Sequence, residues 1–194
     1  MRVGILALQG AFAEHARAFA DVGAETFEIR QARDLARPFD ALVLPGGEST
    51  VQGKLLKELG LFDPLRERIA AGLPVFATCA GLILLARRLE DDPTVWFGVL
   101  PVTVRRNAYG RQLGSFAATN ACGGLADVPM AFIRAPAIVA VGPGVAVLAS
   151  HDGRPTAVRW RGIWAFAGHP ELTDDRRVFA AFCARAASPT AAES

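Results

Sequence analysis

Cysteine is scarce in this chain: its 194 residues hold three, Cys79, Cys122 and Cys183, far apart and without a CxxC pair. An odd, scattered set argues against a disulfide framework and against a zinc site; no metal is expected, and no cofactor either. Histidine is equally sparse, with His15, His151 and His169, which leaves few candidates for an imidazole base. Long apolar runs are lacking as well. The first ten residues are apolar but far too short to span a bilayer, and they lack the layout of a signal peptide. The expectation is a cytoplasmic, reducing setting with no membrane contact. An excess of one charge is also missing: the formal net charge is +2, and no basic run exceeds pairs such as Arg87-Arg88. Nothing linear therefore points to nucleic acid. What remains is a globular composition, 52% hydrophobic and 21% charged, at a length that suits one domain with its own core.

The first half alternates strand and helix signals. Residues 2–8 form a continuous apolar run closed by Gln9-Gly10, as a strand buried on both faces should. A helix follows with Phe12, Ala16, Phe19 and Gly23 near helical spacing, then a short strand over 26–30. Ala41–Pro45 is a second buried strand, broken by Gly46-Gly47, and Val51, Leu55 and Leu59 mark a helix starting near Ser49 or Thr50, both capable caps. Asp63-Pro64 reads as a cap and first helical residue. Pro74–Thr78 is the next strand, and Leu82, Leu85, Ala86 and Leu89 give the helix after it one apolar face. This order predicts an α/β fold with three layers, a mostly parallel central sheet between helices. From about residue 99 short strand-like segments (99–105, 129–134, 137–141, 145–149, 155–160, 163–167) predict further sheet strands and an antiparallel extension. A last helix spans 174–186 with Val178, Phe179, Phe182 and Cys183 inward, and the small polar tail 188–194 is expected to be disordered.

Chemistry concentrates at three places. Thr78-Cys79-Ala80-Gly81 puts a cysteine on a sharp strand-to-helix turn, where the first helical amides stabilise an anion and small neighbours let the chain reverse. The amide after the cysteine is placed to bind an oxyanion. An isolated cysteine is also a common core residue, so Cys79 alone leaves both readings open. His169 follows the apolar strand Ile163–Ala167, at a strand end where sites of open parallel sheets gather. Glu171, two residues on, shares its side of an extended segment and is placed to orient the ring. His15 reads instead as an ordinary helix-face histidine. The Gly46-Gly47-Glu48-Ser49-Thr50 turn exposes amides at a helix start. It is no phosphate loop, because Leu55 follows Gly53-Lys54. Ser49 is a rival nucleophile, but Val51 stands where an elbow requires glycine.

A mid-chain cysteine elbow, a Gly-Gly turn before it and a late His-Pro-Glu resemble the class I (triad) glutamine amidotransferases, whose fold is flavodoxin-like. Six blocks between residues 8 and 173 narrow the resemblance: Leu8-Gln9-Gly10-Ala11 with Glu14-His15, Pro45–Thr50, Thr78–Leu82, Arg106-Asn107 with Gly110-Arg111-Gln112, Phe132–Pro136, and His169–Thr173. They are similar to the glutaminase subunits of pyridoxal 5'-phosphate synthases, the fourth and fifth blocks being the discriminating ones. The resemblance implies one glutaminase domain over 1–187 that hydrolyses L-glutamine through a thioester on Cys79, with His169 and Glu171 completing the triad. It further implies glutamine and oxyanion contacts from Gly46, Gly47, Glu48, Ala80, Arg106, Ile133 and Arg134. It also implies that Gln9 falls at an interface with the synthase subunit that receives the ammonia in a large hetero-oligomer. Ala77, Ala117 and Gly168 depart from the family's pattern, and Gly168 is expected to loosen the histidine strand. Outside this resemblance three readings remain: a glutaminase for another acceptor, a cysteine-elbow chaperone or peptidase, and a binding module with a degenerate site.

Overall fold

The structure, a computed structural model, describes residues 1–90, 92–106, 108 and 115–188. Most of the Arg106–Gln112 block and all of the tail but Ser188 lie outside them. The elements run β1 (Arg2–Leu6), α1 (Phe12–Asp21), β2 (Glu25–Ile29), β3 (Ala41–Leu44), α2 (Ser49–Glu58), α3 (Phe62–Ala70), β4 (Val75–Thr78) and α4 (Ala80–Leu85). They continue through β5 (Ala86–Leu89), β6 (Leu100–Arg105), β7 (Ser115–Cys122), β8 (Leu125–Ile133), β9 (Ala137–Val141), β10 (Ala146–His151), β11 (Arg154–Trp160), β12 (Ile163–Phe166) and α5 (Arg177–Ala187).

Among the described residues the main sheet has the order β10-β11-β12-β4-β3-β1-β2. From β12 to β2 every pairing is parallel, while β10 and β11 add an antiparallel edge. The order β2-β1-β3-β4-β12 is the flavodoxin-like doubly wound sheet, whose strand order reverses between β1 and β3. Helices α1 and α5 pack together on one face, and α2 touches α3 and α4 on the other. The expected three-layer α/β architecture is therefore present.

Burial explains the parallel half. Strands β3, β4 and β12 are buried at every residue, as strands covered on both faces must be. The core between β4 and the α1/α5 layer is aromatic: Phe76 lies 4.8 Å from Phe166 and 5.0 Å from Phe179, ring centre to ring centre, and Phe19 meets Phe179 edge-on at 5.2 Å. Such pairs add about 1 kcal/mol each beyond the area they bury. Val178, Phe179 and Phe182 point inward as expected, whereas Cys183 is only half-buried.

Several local expectations are corrected. Helix α4 stops at Leu85, and Ala86–Leu89 is a strand paired in parallel with β6. All six α4 residues are buried, so the apolar spacing reflects a wholly enclosed helix and not one face of a longer one. Glu48 occupies the cap position of α2 and Leu61 that of α3, neither with a side-chain cap, so Asp63 and Pro64 lie within the first turn. Strand β7 was not foreseen: it pairs with β8 in a separate two-stranded ribbon. Helix α5 starts at Arg177 and not at residue 174.

Candidate active site

Four strand ends converge at the switch point. Thr78 closes β4, and Cys79 follows with φ +47° and ψ −98° as the residue capping α4. A non-glycine residue with positive φ is strained, and such strain persists where the surroundings over-determine it. Here the Cys79 N–H donates to the Phe166 carbonyl oxygen at 2.8 Å. Gly81 is required because a Cβ there would be driven into the Leu44 carbonyl oxygen. The turn after β3 is tied from two sides: the Gly46 N–H donates to Thr78 Oγ1 at 2.9 Å, and its carbonyl accepts the Ala11 N–H at 3.0 Å. Gln9 braces the same turn, its side-chain oxygen accepting the Glu48 N–H at 2.7 Å.

His169 follows β12 and is held by β8: its N–H donates to the Ala131 oxygen at 2.7 Å and its carbonyl accepts the Ala131 N–H at 3.4 Å. Gly168 does not loosen this segment. A Cβ there would sit 3.0 Å from the Phe132 ring and 3.1 Å from the Ala131 oxygen, so the glycine is what lets β8 approach. Pro170–Leu172 forms a tight 3-10 turn and not the extended segment expected. It still brings Glu171 Oε1 to 2.7 Å from His169 Nδ1. With Nδ1 engaged by the carboxylate, Nε2 remains for Cys79. Cys79, His169 and Glu171 are respectively 8%, 7% and 4% exposed.

Electrostatics agree with that arrangement. Burial alone disfavours a charged His169, but hydrogen bonds to Cys79 and Glu171 outweigh it and push the ring up to about 10. Burial also opposes the Glu171 carboxylate, yet the His15 and His169 rings beside it hold the group well below its ordinary range. Both shifts favour the charged forms, an imidazolium beside a carboxylate.

A cavity of about 360 Å³ opens in front of the cysteine. Its wall includes Gln9, Gly46, Gly47, Glu48, Cys79, Arg106, Ile133, Arg134 and His169, which brings nearly every sequence-predicted site residue to one place. Glu171 stands behind His169, away from the cavity wall. Ala80 is fully buried at the start of α4 and its side chain is not on the cavity wall. The two arginines differ. Arg106 is engaged by Asp92 at 2.8 Å and by Thr50 at 3.2 Å, while Arg134, also at positive φ, forms no ion pair among the described residues. Sequence reasoning missed Gly10, Ile83 and Leu172 on the wall, and Thr78 and His15 behind it. Glycine at the end of an apolar strand was the available signal for Gly10, where a Cβ would be driven into the Gly46 carbonyl oxygen.

The SNO glutamine amidotransferase family model matches residues 5–188. The chain belongs to this family. Among its relatives, a protein of Desulfitobacterium hafniense named pyridoxal 5'-phosphate synthase subunit PdxT is 54% identical over 182 residues, covering 94% of this chain and 92% of its own. The PdxT subunit of Bifidobacterium longum is 52% identical over 185 residues, covering 92% and 97%. A crystal structure of a glutamine amidotransferase superposes with a TM-score of 0.90 at 42% identity, over 95% of this chain and 98% of its own. PurLQS from Thermotoga maritima superposes with a TM-score of 0.66 at 13% identity over 95% of this chain and 96% of its own, a likeness of fold alone.

The buried His169–Glu171 pair predicts a pH signature in stability. A histidine raised from 6.5 to about 10 contributes stability that is complete below 6.5 and lost as pH rises towards 10. The depressed Glu171 contributes above its ordinary value of 4.5 and loses that contribution as pH falls below it. Replacing Glu171→Gln is therefore expected to lower Tm most between these limits, by roughly 5 °C. The loss shrinks towards pH 10 and on acidification. Differential scanning calorimetry of both proteins across pH checks this; a constant offset would contradict it.

Proposed function

We propose that this chain is the glutaminase subunit of a pyridoxal 5'-phosphate synthase, with Cys79 as nucleophile, His169 as acid and base, and Glu171 as orienter. One observation carries the reading: the strained Cys79 faces a cavity beside a histidine whose other nitrogen is fixed by a buried carboxylate at 2.7 Å. In the first step the Cys79 sulfur attacks the carboxamide carbon of glutamine. The oxyanion forms against the amides around Gly47 and Ala80, and His169 Nε2 gives its proton to the leaving nitrogen, releasing ammonia. In the second step His169 removes a proton from water, which attacks the glutamyl thioester; glutamate leaves and the sulfur is restored.

Arg134 is the better carboxylate partner of the two cavity arginines, because Arg106 is already spent on Asp92 and Thr50. Gly46, Glu48 and Ile133 complete the glutamine surface in this reading. Gln9, on the cavity rim and bonded to the Glu48 amide, links that surface to the synthase subunit that takes the ammonia in a hetero-oligomer. The same reading makes residues 1–187 one glutaminase domain, supported by a core that runs from Val3 to Phe182. It places the chain in the cytoplasm, to which the free thiols are suited. Among the described residues no helix is long and apolar enough to cross a membrane.

The test is glutamate release by the purified chain, alone and with a pyridoxal 5'-phosphate synthase subunit. Weak hydrolysis alone and a rise of at least about tenfold with the partner are expected. Stimulation only by the synthase of another acceptor, such as imidazole glycerol phosphate, would overturn the assignment while keeping the triad.

A further inference from the structure

Behind the triad lies a buried polar junction that the two-step chemistry above does not use. His15, on α1, is fully buried, with Phe76 and Phe179 edge-on to its ring at 5.9 and 6.3 Å. Its Nε2 lies 3.0 Å from Thr78 Oγ1 and 3.4 Å from Glu171 Oε1. Thr78 Oγ1 in turn accepts the Gly46 N–H at 2.9 Å and lies 3.3 Å from the same Glu171 oxygen.

The donors can be assigned by counting protons. His15 Nδ1 is buried without a hydrogen-bond partner among the described residues, in a ring flanked by Phe76 and Phe179. A lone pair left there costs less than an unpaired N–H, so the ring proton belongs on Nε2. The Thr78 hydroxyl has one proton; receiving from Gly46 and His15, it gives that proton to Glu171. Among the described residues the polar neighbours of this carboxylate all meet Oε1: His169 at 2.7 Å, Thr78 at 3.3 Å and, at 3.4 Å, the His15 Nε2 whose proton goes first to Thr78. Oε2 has no hydrogen-bond partner among the described residues. Removing His15 takes away the proton that orients the Thr78 hydroxyl and a close N–H beside Oε1, and so weakens the hold on the buried carboxylate.

We infer that His15 is a positioning residue of this glutaminase: it fixes Glu171 directly and through Thr78, and so locks the triad to the Gly46 turn that borders the substrate. Orientation of a catalytic imidazole by a carboxylate is only as firm as the carboxylate's own anchors. The junction also ties together α1, β4, the β3 turn and the segment after β12 through side chains, in addition to the backbone bonds they share.

This inference rests on the glutaminase reading, and the experiment separates the two. The full chain and its His15→Leu and His15→Gln variants are assayed with the synthase subunit that stimulates the wild type, recording kcat, KM and the pH profile. His15→Leu keeps the bulk and loses the donor. It is expected to lower kcat about tenfold or more with KM within about twofold. The alkaline limb set by the His169 proton should also move to lower pH. A glutamine amide nitrogen can stand near the position of Nε2, so His15→Gln should recover kcat to within about threefold. A folded His15→Leu with wild-type kcat and an unmoved limb would overturn the inference, as would a His15→Gln no better than His15→Leu. Should His15→Leu fail to fold, Thr78→Val breaks the same junction at constant shape and must give the same kcat loss and limb shift, or the inference fails. A wild type without glutamine hydrolysis would instead sink the reading beneath it.

Discussion

Cys79→Ala is expected to leave glutamine hydrolysis at or below about 10⁻⁴ of the wild-type rate, because no other group in the cavity can form the thioester. Removal of a nucleophile abolishes the covalent route and leaves only what binding and the oxyanion amides supply. The same substitution should change stability little, within about 1 kcal/mol, since the side chain faces a cavity and alanine inherits the same strained turn. That pairing of effects separates the nucleophile from a core cysteine, whose loss would cost stability and spare activity. Ser49 cannot substitute for it: it begins α2 and is 3% exposed, without the elbow that projects Cys79. Steady-state ammonia release and thermal unfolding on the same preparation decide the point. An active Cys79→Ala would end the account.

Gly46→Ala carries the second large effect. A Cβ at this position would be driven into His169 Cε1 and would lie 2.9 Å from Nδ1 and 3.4 Å from the Cys79 Cβ. The ring cannot simply step aside, because its backbone is pinned to Ala131 and its Nδ1 to Glu171 at 2.7 Å. Nor can the turn recede, since Gly46 is held by Thr78 on one side and Ala11 on the other. Something must shift by about 1 Å between the ring and the turn to restore ordinary contact. Displacements near 1 Å cost about a hundredfold in rate, so a kcat loss of roughly 10²–10³ is expected, with a smaller change in KM. Kinetics with glutamine checks it; a variant within threefold of wild type would mean that the ring and the turn are not in the contact described.

Much of this site was legible along the chain because its signals are local. An apolar run ending in Gly-Gly, a strand running into Cys79-Ala80-Gly81, and His169 after a buried strand each announce a strand end, and strand ends of a doubly wound sheet meet at one edge. Resemblance supplied what spacing could not, the choice of glutamine and the grouping of Arg106, Ile133 and Arg134 on one wall. The misreadings have a common cause in tertiary context. Leu82 to Leu89 keeps helical spacing, yet pairing with β6 claims Ala86–Leu89 as strand. Strand β7 alternates exposed and buried residues with alanine, asparagine and serine among them, so its β signal is weak until β8 lies beside it. His15 has the spacing of any helix-face residue. Its partner Thr78 lies 63 positions away, and no local pattern reports a contact of that span.

The most direct measurement of the central claim is rapid acid quenching of the protein during glutamine turnover, followed by peptide mass analysis. A glutamyl adduct is expected on the peptide bearing Cys79, absent from Cys79→Ala and present in diminished amount in Gly46→Ala. Turnover without any adduct, or an adduct carried by Ser49, would contradict it.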